Sequence, residues 1–206
     1  MLNLFVGSAG TCSLASHIAL EEAGADYKIT RLDFSKDEQK KPDYLKINPK
    51  ARVPALVTDK GIITENPAVL FYIAQTHASA NLAPLDDAFA LAKMQAFNSY
   101  LCATVHPNHA HKMRGARWSD DPDVIDKLKI KVPRNVTDNF TLIENDYLAG
   151  PWVMGAQFTV ADCYLYILAT WMEGDGVDVG KFPRVIDHRT RMASRPAVKK
   201  VLAVYG

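Results

Sequence analysis

Cys12 is the first residue whose type and setting suggest chemistry. It follows the turn cluster Gly7-Ser8-Ala9-Gly10 and stands where a helix is expected to begin. Unpaired N–H groups and the positive end of the helix dipole at such a point stabilise a thiolate. Three residues further on stands Ala15, so there is no Cys-x-x-Cys pair, and a redox cycle at Cys12 would need an external thiol. The position equally suits a small buried apolar residue, as do those of Cys102 and Cys163 inside helical patterns. His106, His109 and His111 form a second cluster around Pro107. Imidazoles three apart on a helix can converge on a metal, but Pro107 interrupts the helix and no carboxylate or cysteine completes a ligand set. No metal is expected, and the cluster reads as solvated or hydrogen-bonded histidines, with a catalytic or ligand-contacting role open for His106.

Two further segments point to a peptide-like ligand. In Asn48-Pro49-Lys50-Ala51-Arg52-Val53-Pro54-Ala55-Leu56 a proline stands directly before an apolar strand, where it cannot donate to a ladder, which marks a special turn. A cis Val53–Pro54 bond would turn the Val53 N–H and C=O outward, toward the backbone of a ligand. Thr64-Glu65-Asn66 then opens a helix. Free N–H groups there can receive a carboxylate and Glu65 can face an ammonium group, although a plain helix cap explains the same three residues.

These residues need elements to position them. Leu2 to Val6 reads as a strand, followed by a helix through Leu14, Ile18 and Glu22 that stops at Gly24, with a hydroxyl residue of Thr11-Cys12-Ser13 as its cap. Tyr27 to Leu32 is a second strand, and Lys36 to Lys41 a loop or short exposed helix. Ala55-Leu56-Val57 and Ile62-Ile63-Thr64 make a hairpin around Asp59-Lys60-Gly61, and a helix follows from Pro67. The order β-α-β then β-β-α implies a sheet with crossover helices. Beyond about residue 86 only helices are expected. Ala90, Met94, Phe97, Leu101 and Val105 share one face of a long helix that Pro107 should end or kink. Pro122 to Lys131 reads as a short helix, and a further one runs from Val132 to Tyr147 with Pro133 at its opening. Thr159-Val160-Ala161-Asp162 resembles a capping box, and the stripe Val160, Cys163, Tyr164, Ile167, Leu168, Trp171 behind it marks a buried, central helix. The division is therefore residues 1–80, a linker at 81–86, and a helical part at 87–206.

Composition narrows the class. The chain has 206 residues, 48% hydrophobic and 23% charged, enough for a core without a disulfide or metal staple. With 24 Lys plus Arg against 23 Asp plus Glu, it lacks the basic footprint of a nucleic-acid or membrane-surface binder. No apolar run is long enough for a membrane span, and the first residues read as a strand and not a signal peptide. Three widely spaced cysteines suit a reducing, cytoplasmic setting.

Together the segments resemble a glutathione transferase over essentially the whole chain: an α/β thioredoxin-like N-terminal domain followed by an all-α helical domain. The carriers are Gly10-Thr11-Cys12-Ser13-Leu14-Ala15-Ser16-His17, Asn48-Pro49-Lys50 through Leu56, Thr64-Glu65-Asn66, and Phe158-Thr159-Val160-Ala161-Asp162. Cys-Ser-Leu-Ala-Ser-His together with His106 is similar to the bacterial beta class. The resemblance implies that Cys12 and His106 lie beside the glutathione sulfur and that Val53, next to a cis Pro54, pairs with the cysteinyl backbone. It further implies that Glu65 and Asn66 hold the γ-glutamyl end, that Lys36 meets the glycine carboxylate, and that Ser99 stands for an asparagine reaching in from a neighbouring subunit of a homodimer. Asp162 would cap a buried helix and serve folding. Asn66, Pro107, Phe5 and Ser99 depart from the family pattern.

The activity so implied is conjugation: the glutathione thiolate attacks a hydrophobic electrophile, as in detoxification, with Cys12, the helix start and His106 supplying the field that lowers the thiol pKa. In that setting Cys12 acts as an S–H donor to the glutathione sulfur. One alternative is thiol–disulfide exchange with Cys12 as nucleophile and glutathione as resolver. Another is a non-catalytic glutathione-binding or interaction module. The acceptor pocket is expected between the domains, lined by Phe5 to Ala9 and by Ser99 to Trp118, with Met113, Trp118 and the histidines facing a co-substrate.

Overall fold

The computed structural model describes residues 1–206. A four-stranded sheet in the order β2-β1-β3-β4 forms the first part. Strand β1 (Leu2–Val6) pairs parallel with β2 (Tyr27–Arg31) and antiparallel with β3 (Ala55–Thr58), which turns through Asp59 and Lys60 into β4 (Gly61–Thr64). Parallel pairing of β1 and β2 requires a crossover, supplied by α1 (Ser13–Glu22). Between β2 and β3 the chain makes 3-10 turns at Phe34–Lys36 and Glu38–Lys40 and the short helix α2 (Pro42–Leu45). Helix α3 (Asn66–Thr76) follows β4 and packs beside α1. This is the thioredoxin-like arrangement.

From residue 88 onward the chain is helical: α4 (Ala88–Tyr100), α5 (His106–Arg114), α6 (Pro122–Leu142), α7 (Val160–Ala169), α8 (Pro183–Ser194) and α9 (Pro196–Tyr205). All ten residues of α7 are buried, and α1 is buried from Ser13 through Leu20, because the two helices pack on each other between the sheet and the remaining helices. One apolar cluster therefore runs through both parts, from Leu4 and Ile18 to Tyr164 and Val201. Ion pairs reinforce the junction: Arg195 Nε donates to Glu22 Oε1 at 2.5 Å, and Lys200 Nζ to Glu21 Oε1 at 2.5 Å.

The Asp162 carboxylate satisfies three elements at once. It accepts from the Thr159 N–H at 2.8 Å, closing the capping box, from the Val153 N–H at 2.8 Å, and pairs with His188 Nε2 at 3.0 Å. A fully buried carboxylate is tolerated only with such partners.

One proline reading needs correction. Residues 122–142 form one helix with Pro133 inside it, not a short helix and a second one. Its buried face, Val132, Val136 and Phe140, continues through the proline, and the ring packs against Gly176. That packing offsets the roughly 3 kcal/mol that an interior proline costs. At Pro107 the long α-helix is interrupted, as expected: α4 stops at Tyr100 and Pro107 stands in the first turn of α5. A π-helical turn at Leu101–Val105 joins α4 to α5, and its wider ring accommodates the residue that lacks an N–H. The α1 cap also differs: Cys12 is the N-cap residue and bonds no helix N–H through its side chain. The hydroxyls of Thr11 and Ser13 instead pair with each other at 2.7 Å, and Ser13 Oγ accepts from the Gly7 N–H. Gly7 is required there, since a Cβ would lie 2.7 Å from Thr11 Cγ2.

Candidate functional site

A cavity of about 450 Å³ opens between the two parts, bounded by the start of α1, the Asn48–Pro54 segment, the start of α3, and α5 with the turn after it. Cys12, Val53, Pro54, Glu65, Asn66 and His106 all line it. Lys36 and Ser99 do not. Lys36 is exposed on its 3-10 turn with Nζ 3.1 Å from Asp33 Oδ2, so its charge is already matched. Ser99 is exposed on α4, on the outside of its own chain. The first stretch expected along the pocket, Phe5 to Ala9, also falls outside the lining, which begins at Gly10. Phe5 instead packs against Tyr44, with ring centroids 5.5 Å apart, in a small cluster of its own.

The Val53–Pro54 peptide is cis. The carbonyl just before it, that of Arg52, is clamped by the Tyr44 hydroxyl at 2.6 Å and Asn48 Nδ2 at 2.7 Å. Val53 is thereby presented with its N–H unpartnered within the protein, while its carbonyl accepts from Cys12 Sγ–H at 3.4 Å. Glu65 has a left-handed φ of 73° at the N-cap of α3, a conformation costing a non-glycine residue about 1–3 kcal/mol that concentrates at ligand sites. Its carboxylate lies 2.6 Å from Lys50 Nζ, which also donates to Thr64 Oγ1 at 2.7 Å. Asn66 is buried and both ends of its amide are used: Nδ2 donates to the Cys12 carbonyl at 2.8 Å and Oδ1 accepts from Ser16 Oγ at 2.7 Å. The Asn66 backbone N–H is left without a protein partner, at the start of α3.

The electrostatics overturn one expectation. Burial, reinforced by Cys102 and Glu65, pushes the Cys12 thiol up to about 12, against the smaller opposing effects of its backbone hydrogen bond and Arg117. Cys12 is a protonated donor at neutral pH, not a thiolate, because desolvation outweighs the helix start. Burial likewise lowers His106 to about 4, with help from His109, Arg117 and Arg52, so this imidazole is neutral and supplies an N–H rather than a charge. His106 Nδ1 is hydrogen-bonded to the Tyr164 hydroxyl at 3.2 Å, the one hydrogen bond its ring makes within the protein.

The three histidines of the cluster take separate partners. His109 Nδ1 is 2.7 Å from Asp175 Oδ2, a buried carboxylate, and its ring stacks on Trp171 with centroids 4.0 Å apart. His111 meets the Trp118 ring edge-on at 4.4 Å. Trp171 Nε1–H donates to the Gly10 carbonyl at 3.0 Å, tying the helical part to the loop before Cys12. Sequence reasoning passed over several lining residues. Tyr164 and Trp171 lay on an apolar stripe, while Cys102, Arg114 and Arg117 fell within the Ser99 to Trp118 stretch, and Arg52 within the proline segment, without a role of their own. The one available signal was the polar tips of Tyr164 and Trp171 on a buried face, which require partners.

The comparisons agree with this geometry. Residues 2–75 match the family model "Glutathione S-transferase, N-terminal domain" and residues 117–204 match "Glutathione S-transferase, C-terminal domain". The chain is 28% identical over 199 residues to glutathione S-transferase GstA of Escherichia coli O157:H7, covering 96% of each. A glutathione transferase homolog from Sulfitobacter, solved with bound glutathione, superposes with a TM-score of 0.95 at 41% identity over 99% of this chain and 98% of that one. The bacterial beta class glutathione S-transferase of Sphingomonas chungbukensis gives 0.86 at 31% identity, over 99% and 98%. With sequence, sheet order and the clefted junction all concurring, the chain belongs to the glutathione S-transferase family.

Proposed function

We propose that this protein conjugates glutathione to apolar electrophiles. The observation that carries this reading is the meeting of Cys12, Val53, the α3 start and His106 at one cavity. Glutathione lies extended along the first part, its cysteinyl backbone paired with the Val53 N–H and C=O. Its γ-glutamyl carboxylate sits at the Asn66 N–H and its ammonium at Glu65. The glycine carboxylate meets Arg52, next in chain to Val53, in place of Lys36.

The chemistry follows from the protonation states. The glutathione thiol gives up its proton to solvent, and the sulfur accepts hydrogen bonds from Cys12 S–H, turned from the Val53 carbonyl that the ligand backbone takes over, and from His106 Nε2–H, the tautomer in which Nδ1 accepts from Tyr164. Each unit by which these donors lower the thiol pKa favours the anion by about 1.4 kcal/mol. The thiolate then attacks an electrophilic carbon, a C–S bond forms, and the leaving group departs with the bonding pair. A Cys12 thiol held near 12 weighs against exchange chemistry with Cys12 as nucleophile.

The glutathione-binding domain spans 1–80 and the helical one 87–206, joined at 81–86. A second copy would cover the exposed Phe89 of α4 and bring its Ser99 near the site, giving a homodimer. No helix is long and apolar enough to cross a membrane, and all three cysteines are free, which supports a cytoplasmic protein. The test is calorimetric titration with glutathione beside turnover of an aryl halide. Binding with turnover is expected. Binding without turnover would turn the reading to a ligand-binding module, and no binding at millimolar glutathione would overturn it.

A further inference from the structure

We infer that the electrophile carries a carboxylate, held by Arg114 and Arg117 on the helical side of the cavity. This rests on the glutathione-transferase reading above and deepens it to a substrate class.

The chain has nine arginines. Arg134, Arg189, Arg191 and Arg195 are paired with Asp138, Glu173, Asp187 and Glu22. Arg184 donates to the carbonyls of Glu144 and Leu148, and Arg31 lies over the Tyr205 ring, 5.1 Å from its centroid. The remaining three, Arg52, Arg114 and Arg117, have no carboxylate, carbonyl or aromatic partner for their guanidinium groups, and all three line the same cavity. The only carboxylate in that lining is Glu65, itself 2.6 Å from Lys50 Nζ. Besides burial, Arg52 and Arg114 hold the Arg117 guanidinium below its ordinary pKa, so the three charges feel one another. Like charges gathered without a counterion raise the energy of the free protein, and an anion placed among them relieves that repulsion.

Glutathione does not use up this charge. Its ammonium is matched at Glu65, its γ-glutamyl carboxylate at the start of α3, and its glycine carboxylate at Arg52. Arg114 and Arg117 are left over. They flank Met113 and Trp118, which are 73% and 47% exposed and offer apolar surface for a ring or chain. A guanidinium fork recognises a carboxylate with two parallel hydrogen bonds, so the pair beside an apolar wall fits an apolar electrophile bearing a carboxylic acid.

The test uses the glutathione conjugates of para-chloro-meta-nitrobenzoate and of its amide, which differ only in the charged group. Titration of the intact protein with both conjugates, and with glutathione, should give about tenfold tighter binding of the carboxylate conjugate. In the Arg114→Gln, Arg117→Gln double variant that ratio should fall to within about twofold. Because the ratio is taken within each protein, any effect on the shared glutathione moiety cancels. A ratio near one in the native protein, with glutathione and both conjugates bound, would overturn the anion inference alone. A ratio that survives the double substitution would overturn its assignment to these arginines. Failure of glutathione and both conjugates to bind would overturn the glutathione reading and this inference with it.

Discussion

Asn66 Nδ2 donates to the carbonyl of Cys12 at 2.8 Å, so a side chain at the start of α3 holds the backbone at the start of α1. The same amide accepts from Ser16 Oγ at 2.7 Å, one turn into α1. Two helix starts bordering one cavity are thus locked in register by a residue that the resemblance placed at the γ-glutamyl end of the ligand. Asn66→Ala should leave the Cys12 carbonyl and the Ser16 hydroxyl unpaired and cost about 1–3 kcal/mol of stability. Urea denaturation measures that cost, and an unchanged midpoint would contradict the bridging role.

A thiol near pKa 12 should react slowly with alkylating agents at neutral pH. The alkylation rate of Cys12, followed by mass spectrometry, is expected to climb through pH 9 without a plateau below it. A plateau at pH 7 to 8 would mean that Cys12 is a thiolate there. Cys12→Ser should keep conjugation within about tenfold, since a hydroxyl still donates to the sulfur.

Glu65 is the one carboxylate facing the cavity. Glu65→Gln removes the partner for the glutathione ammonium and should raise the glutathione Kd by about tenfold or more, with the melting temperature nearly unchanged. The half-exposed ion pair to Lys50 contributes little to folding, so equal losses of affinity and stability would argue against a ligand role.

His17 and His106 are both lowered to about 4, each chiefly by burial. A histidine whose folded pKa lies below its unfolded value binds fewer protons in the folded state across the gap. Stability therefore falls as pH drops from about 6.5 toward 4 and is level above that window. The urea midpoint measured at pH 7, 5.5 and 4.5 should decline stepwise, and His17→Gln should flatten part of the decline while losing the 3.0 Å bond to the Tyr205 hydroxyl. Because His106 stays neutral from pH 5 to 8, no inflection in kcat/KM in that range should vanish on His106→Gln.

Trp171 Nε1–H is the hydrogen bond that joins the α7 end to the loop before Cys12. Trp171→Phe keeps an aromatic ring against His109 but loses the bond to Gly10, for a cost of about 1 kcal/mol. Faster exchange of the Gly10–Ser13 amides should accompany that loss, and unchanged exchange would show that the clamp is not needed.

Local information in the sequence went far where a few adjacent residues decide the outcome. The hairpin around Asp59-Lys60-Gly61, the capping box from Thr159 to Asp162 and the all-apolar α7 depend on turn chemistry and periodicity, which are short-range properties. Motif segments near Cys12, Pro54 and Glu65 were legible for the same reason. What only the tertiary structure decided depends on residues far apart in the chain. Pro133 remains helical because Gly176 and the core, more distant in the chain, receive it. The charge state of Cys12 is set by burial among Cys102, Glu65 and Arg117, none of them sequence neighbours. A helix start alone would favour the thiolate; removing that sulfur from water, which requires the whole junction, is the larger energy and makes it a donor.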